Sequence, residues 1–362
     1  MTRPFSLFAA TLLTVAACTS IETSPSASPP PVPPQLTPSP TSVATTPAAS
    51  LTRPPAASWV QLDAGASPTP REDHTWTVDA ASGTAWLFGG RDRGTVFGDL
   101  WSYDLASDRW TRVEPSGDAP AARFGHTGTW VDGVGLVVWS GQSGADFFGD
   151  IHAYDPATNR WTRLPDAGAA PEARYGSCAG LGPDGRLWIS HGFTFAGRFA
   201  DTRHYDFATR AWTEVTPADG GPVKRCLHDC IWAQSGQLVL YAGQTDGVPA
   251  LGDLWTLDIT GGWTEAAAAE PPARQLYSLA STGPTGWVFG GRGSDGKELN
   301  DLWTLDLETL AWQPVLLTTV GPQGRAGATL ISDPERSRLL LFGGVGANAF
   351  GDTWQLVNVS GQ

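Results

Sequence analysis

Apolar residues in this chain come in short runs, broken every few positions by Gly, Pro, Asp or Asn. Runs of that length, bounded by turn residues, predict β-strands, and no stretch carries a helical period. One segment shows the arrangement most fully. It opens R-F-G-H, Arg123 to His126, and runs into an apolar strand L-V-V-W-S-G, Leu136 to Gly141. A loop leads to D-I-H-A-Y-D, Asp150 to Asp155, and a lone Trp161 follows a short polar turn. The same order recurs with the arginine at Arg71, Arg123, Arg174, Arg225, Arg274 and Arg325, at spacings of 52, 51, 51, 49 and 51 residues. Self-similarity at this period predicts a repeat architecture with four strands per unit.

The unit resembles a kelch repeat: an arginine before the first strand, a Gly pair closing the second, an aromatic–Asp third strand and an isolated Trp in the fourth. The pair is intact at Gly89-Gly90, Gly290-Gly291 and Gly343-Gly344, and reads Ser140-Gly141, His191-Gly192 and Ala242-Gly243 elsewhere. The resemblance spans roughly residues 58–357 and implies an all-β, six-bladed β-propeller, one four-stranded antiparallel blade per repeat. Fourth-strand tryptophans stand at Trp110, Trp161, Trp212, Trp263 and Trp312, and the last copy has none after Trp354. Trp59 lies 51 residues before Trp110. The N-terminal strand is therefore expected to complete the blade begun by Arg325, which closes the ring and removes its free edges.

The propeller is assigned to residues 58–362. Before it, Arg3 precedes an apolar run, Phe5 to Ala17, that ends V-A-A-C at Cys18. That ending resembles the lipobox of bacterial lipoproteins, which implies a signal peptide over 1–17, lipidation of Cys18 and a place outside the cytoplasm on the cell membrane. Residues 18–57 carry eleven prolines among Ser, Thr and Ala, with only Glu22 and Arg53 charged. Such a segment cannot bury a core and favours extended polyproline II, so it is expected to be a disordered tether.

The formal charge of −13 argues against nucleic acid and against electrostatic binding to anionic lipid. Membrane attachment is expected through the lipid alone. The turns between third and fourth strands are short, each headed by an Asp that bonds its own backbone: Asp104, Asp155, Asp206, Asp258 and Asp306. No repeat carries a long insertion, so a site has to be built from the channel mouth.

Candidates fall there. The six recurrent arginines either tie blades together or form a ring that receives an anionic or hydroxyl-rich ligand. His191, Phe193 and Phe195 match no repeat position, nor do Asp146, Phe147 and Arg198; an aromatic cluster beside arginines suits a sugar or a peptide side chain. Cys178, Cys226 and Cys230 fall near the starts of neighbouring innermost strands. An exported protein favours a disulfide, Cys178 with Cys226 or Cys230, leaving one thiol. The alternative is a soft-metal set in which Cys226, His228 and Cys230 share one strand face with Cys178.

The expected function is a lipid-anchored, monomeric binding or scaffold module, without cofactor or resident metal, docking a protein, peptide or carbohydrate at the propeller mouth. The alternative is a sugar-modifying enzyme, since the resemblance extends to copper-radical oxidases and a sialic-acid mutarotase. The residues for the oxidase cofactor cannot be assembled here, and for acid–base chemistry only His191, Glu172 and His228 offer themselves.

Overall fold

The computed structural model describes residues 56–360 apart from 219, 261, 268 and 269. The expected signal peptide, Cys18 and the tether up to residue 55 lie outside the described residues. Six sheets, each built on four antiparallel strands and some extended by a further short strand, make six blades. Blade 1 runs Thr75–Asp79, Thr84–Phe88, Leu100–Asp104 and Arg109–Val113, from the axis outward. Blades 2 to 5 repeat this order, with innermost strands Thr127–Val131, Cys178–Leu181, Asp229–Trp232 and Ser278–Thr282.

Blade 6 is assembled from both ends of the domain. Its inner three strands are Ala326–Asp333, Arg338–Val345 and Thr353–Ser360, and its outermost is Ala56–Leu62. Trp59 pairs with Leu356 in an antiparallel register that runs to Leu62 opposite Thr353. The expected closure is present, and its strand begins two residues before the position assigned from the sequence. Trp59 is buried, its ring 5.2 Å from Phe289 of blade 5. That register also gives a direction: Leu62 lies at the Asp352 end of the blade, and Ala56 enters at the opposite end.

A second closure is made of backbone. The residue two places after each arginine, Asp73, Gly125, Gly176, Leu227, Leu276 and Gly327, is left-handed, with φ between 53° and 68°. In that conformation each N–H points sideways and donates to the carbonyl of its counterpart one blade back, at 2.8–3.0 Å. Asp73 N–H completes the circle on Gly327 O at 2.9 Å. Three copies use Gly, for which this conformation is free; Leu227 and Leu276 adopt it at roughly 1–2 kcal/mol each.

The Gly pair follows from dihedrals too. Its first position has φ of 58–70° and accepts Ser140, His191 and Ala242 beside three glycines. Its second has φ of 91–125°, which only glycine tolerates, and is glycine in every blade. A Cβ on Gly90 would stand 2.8 Å from Glu72 O, because the neighbouring chain passes directly over it.

The core lies between blades; in blades 1 to 3 the fourth-strand tryptophan packs on a third-strand tyrosine, Trp110 on Tyr103 at 4.7 Å, Trp161 on Tyr154 at 5.4 Å and Trp212 on Tyr205 at 5.2 Å. If Trp59 closes the ring, Trp59→Ala costs about 3–5 kcal/mol in urea denaturation, while exposed Val60→Ala costs less than about 0.5 kcal/mol. Equal small losses for both would refute the closure.

Candidate functional site

The six arginines are 0–1 % exposed, so they form no ring open to solvent. Each guanidinium is spent on its own blade. Arg123 donates Nη1–H to Asp150 Oδ1 at 2.7 Å and Nη2–H to Asp150 Oδ2 at 3.1 Å. It also bonds Ser140 O at 3.0 Å, while its Nε–H reaches back to Ala121 O at 2.9 Å. The same fork joins Arg71 to Asp99, Arg174 to Asp201, Arg225 to Asp253, Arg274 to Asp301 and Arg325 to Asp352. Phe97, Phe148, Phe199 and Phe350 lie under four of the guanidinium carbons at 3.7–4.2 Å. A desolvated, bidentate, stacked arginine has little left for a ligand. The expectation that Arg71, Arg123, Arg174, Arg225, Arg274 and Arg325 bind ligand is corrected to a framework role.

The carboxylates carry a third donor, two residues on along the third strand. Trp101, Trp255, Trp303 and Trp354 give their indole N–H at 2.7 Å; His152 Nε2 and Arg203 Nε serve in blades 2 and 3. Burial alone would raise Asp99, Asp150, Asp201, Asp253 and Asp352. Hydrogen bonds from these donors, with the arginine charge, outweigh it and hold all five below the ordinary carboxylate range.

His191 is a second correction. Occupying the first position of its Gly pair, it is fully buried, with Nδ1 2.6 Å from Ser190 Oγ and its ring 5.4 Å from His228. Burial, reinforced by Arg225, lowers it to about 3, and the same desolvation keeps His74, His126 and His228 neutral. Glu172 is exposed and spends its backbone carbonyl on Arg174 Nε–H.

Phe193 and Phe195 do come together at the arginine end of blade 3. They sit on a hairpin extension of the strands Leu187–Thr194 and Gly197–Asp206, beside Phe147 of blade 2. Phe147 meets Phe195 edge to face at 5.0 Å and Phe193 at 6.2 Å, and Arg198 lies over Phe193 at 5.3 Å. Phe195 is 69 % exposed. Arg198 is paired with Asp246 on blade 4, which also meets Lys224 at 3.4 Å. The result is an apolar patch rimmed by two cations, Arg198 and Lys224, that share one carboxylate, Asp246.

The axis holds a cavity of about 280 Å³ lined by all six innermost strands, from the left-handed ring to Trp76, Cys230 and Leu330. Two carboxyls line it. Asp73, raised to about 7 by burial and then by Glu72, has Arg91 Nη2 at 3.1 Å. Asp229 is raised to about 7 by burial alone. The sequence signal for Asp229 was its place four residues after an arginine, where Thr75, Thr127, Cys178, Ser278 and Thr329 stand in the other blades.

Cys178 and Cys230 form a disulfide between the innermost strands of blades 3 and 4, and Cys226 is a buried free thiol. Two of the three sulfurs of the envisaged metal set are thereby occupied; among the described residues no three His, Cys, Asp or Glu side chains are grouped to hold a metal ion. A crosslink closing about 52 residues stabilises by about 4 kcal/mol in the chain-entropy account. Denatured, unreduced protein (residues 56–362) should label at one thiol, and Cys178→Ala/Cys230→Ala should lose stability of that order; three labelled thiols would refute the bridge.

The KLHDC2/KLHL20/DRC7 Kelch-repeats domain model matches residues 52–235 and 222–361. Human Multiple epidermal growth factor-like domains protein 8 is 27 % identical over 319 residues, 81 % of this chain and 11 % of that protein. Kelch domain-containing protein 10 of Xenopus tropicalis is 28 % identical over 236 residues, 61 % of this chain and 56 % of its own length. The N-(sulfonatooxy)prop-2-enimidothioate sulfolyase of Thlaspi arvense is 31 % identical over 180 residues, 39 % of this chain and 51 % of that enzyme. The chain thus spans little more than half of these relatives at most. With both family matches laid over the six blades and their arginine–aspartate clamps, the chain belongs to the kelch-repeat family of β-propellers.

Proposed function

We propose that this propeller is a docking head for a protein or peptide, held at the outer face of a bacterial membrane by a lipid on Cys18 and a proline-rich tether. The aromatic patch of Phe147, Phe193 and Phe195 carries the reading. An exposed large apolar side chain seated on two other aromatics marks an interaction surface. The three rings meet edge to face and present no flat platform, which favours a side chain over a sugar ring.

The test places a photo-crosslinking residue at position 195 in the full-length protein, expressed in cells. A control carries it at Thr209, in the turn between third and fourth strands of blade 3. A discrete adduct from position 195 and none from 209 is expected, together with release of the protein from membranes by Cys18→Ser. No adduct at 195, or equal adducts at both positions, would overturn the docking role.

A further inference from the structure

The axial cavity holds one group that the propeller framework does not explain. Four residues after each arginine, five blades place an uncharged side chain, and each is satisfied locally. Thr75 Oγ1 lies 3.0 Å from His126 Nε2, and Thr127 bonds Trp139 O at 3.2 Å. Ser278 bonds Ala328 O at 2.8 Å, Thr329 bonds His74 O at 3.0 Å, and Cys178 is in the disulfide. Asp229 stands in this ring as its only ionisable side chain. Its Oδ1 accepts from the N–H of Cys230 at 2.8 Å, and no cation among the described residues offsets its charge.

The groups facing Asp229 supply no proton and no charge. On blade 5, the Tyr277 hydroxyl accepts from Asp229 N–H at 2.9 Å and donates to Tyr241 O at 2.5 Å. Burial, and then Asp229 itself, puts that phenol far above its usual range. On blade 3, Cys178 is oxidised; on its own strand, His228 is neutral. Asp73, elsewhere on the wall, has Arg91 as counter-ion. Asp229 is thus a carboxyl without a partner on the wall of a 280 Å³ space. A half-buried carboxylate with no counter-ion is unfavourable, and a serine or threonine would fill the position without that penalty.

We propose that the axial cavity is a binding site for a small organic cation, a primary ammonium or guanidinium, which pairs with the Asp229 carboxylate. At about 30 Å³ per water the space equals about nine waters, room for about ten non-hydrogen atoms. The neighbouring side-chain hydroxyls are already paired, so the carboxylate charge is what the ligand recognises. Its affinity should follow ionisation of Asp229. With the group raised to about 7, binding is half its maximum near pH 7, nearly full by pH 8, and falls towards tenfold per unit below neutrality, ~30-fold between pH 8 and 5.5.

The experiment uses residues 56–362, the propeller that closes on itself, with methylguanidinium and ethylammonium as probes and N-methylurea as the neutral control. Calorimetry at pH 8 and 5.5 is run on wild type and on Asp229→Asn, which keeps the Cys230 N–H bond. Expected are saturable binding of a cation, none of the urea, the ~30-fold loss at low pH and at least a tenfold loss in the variant. Carbon NMR of the Asp229 carboxyl gives a second readout without mutation: a bound cation should lower its titration midpoint. Equal binding by urea, retained affinity in a folded Asp229→Asn, or an unmoved midpoint under saturating cation would each overturn the site. So would the absence of binding at pH 8.

Discussion

An arginine hung by its backbone on one blade and locked by its side chain into the next is the interaction on which this ring depends. Arg123 donates its N–H to Phe97 O and accepts from Gly90 N–H, both in blade 1, while its guanidinium is committed to Asp150 and Ser140 in blade 2. Removing the side chain would leave a carboxylate facing an empty, half-buried socket, the expensive way to break a buried pair. The third donor on each aspartate and the phenylalanine under most guanidiniums fix the fork in one geometry. Six such clamps, the circle of left-handed residues and the Trp59 strand join blades that also meet through side-chain packing, scattered hydrogen bonds and the Cys178–Cys230 disulfide.

Because the framework uses so many of its polar residues, departures from the repeat point to function more clearly than the repeat does. The arginine, its aspartate and the Trp, His or Arg that supports it are all accounted for structurally. What remains is the hairpin extension bearing Phe193 and Phe195, and the lone carboxyl of Asp229 in a ring of neutral side chains. These two features lie in different environments and imply different partners. One is an exposed apolar patch suited to a protein surface; the other is an acidic point on the wall of the axial cavity, suited to a small cation.

Much of the fold was legible because a propeller repeats its strand order on a fixed period. The blade count and the role of Trp59 follow from spacing alone. The side-chain roles were less accessible. An arginine that recurs six times reads equally as a binding ring or a clamp until its partner is known, and that partner lies 27 or 28 residues away. The four third-strand tryptophans look like core; their indole N–H bonds to aspartate emerge only when His152 and Arg203 are seen replacing them. His191 stood out as a channel-mouth candidate because it replaces the first Gly of its pair, yet the left-handed backbone there turns its side chain into the gap between blades. Cysteine spacing left Cys226 and Cys230 as rival partners for Cys178, and only the register of neighbouring innermost strands separates them.

The central claim is that these arginines are clamps. A double-mutant cycle in residues 56–362, Arg123→Met, Asp150→Leu and the pair together, followed by urea denaturation, tests it directly. If the arginine is a clamp, Arg123→Met alone loses about 3–5 kcal/mol and the double mutant loses well under the sum of the singles, with a coupling above about 1 kcal/mol. A single-mutant loss below about 0.5 kcal/mol, or strict additivity, would contradict it.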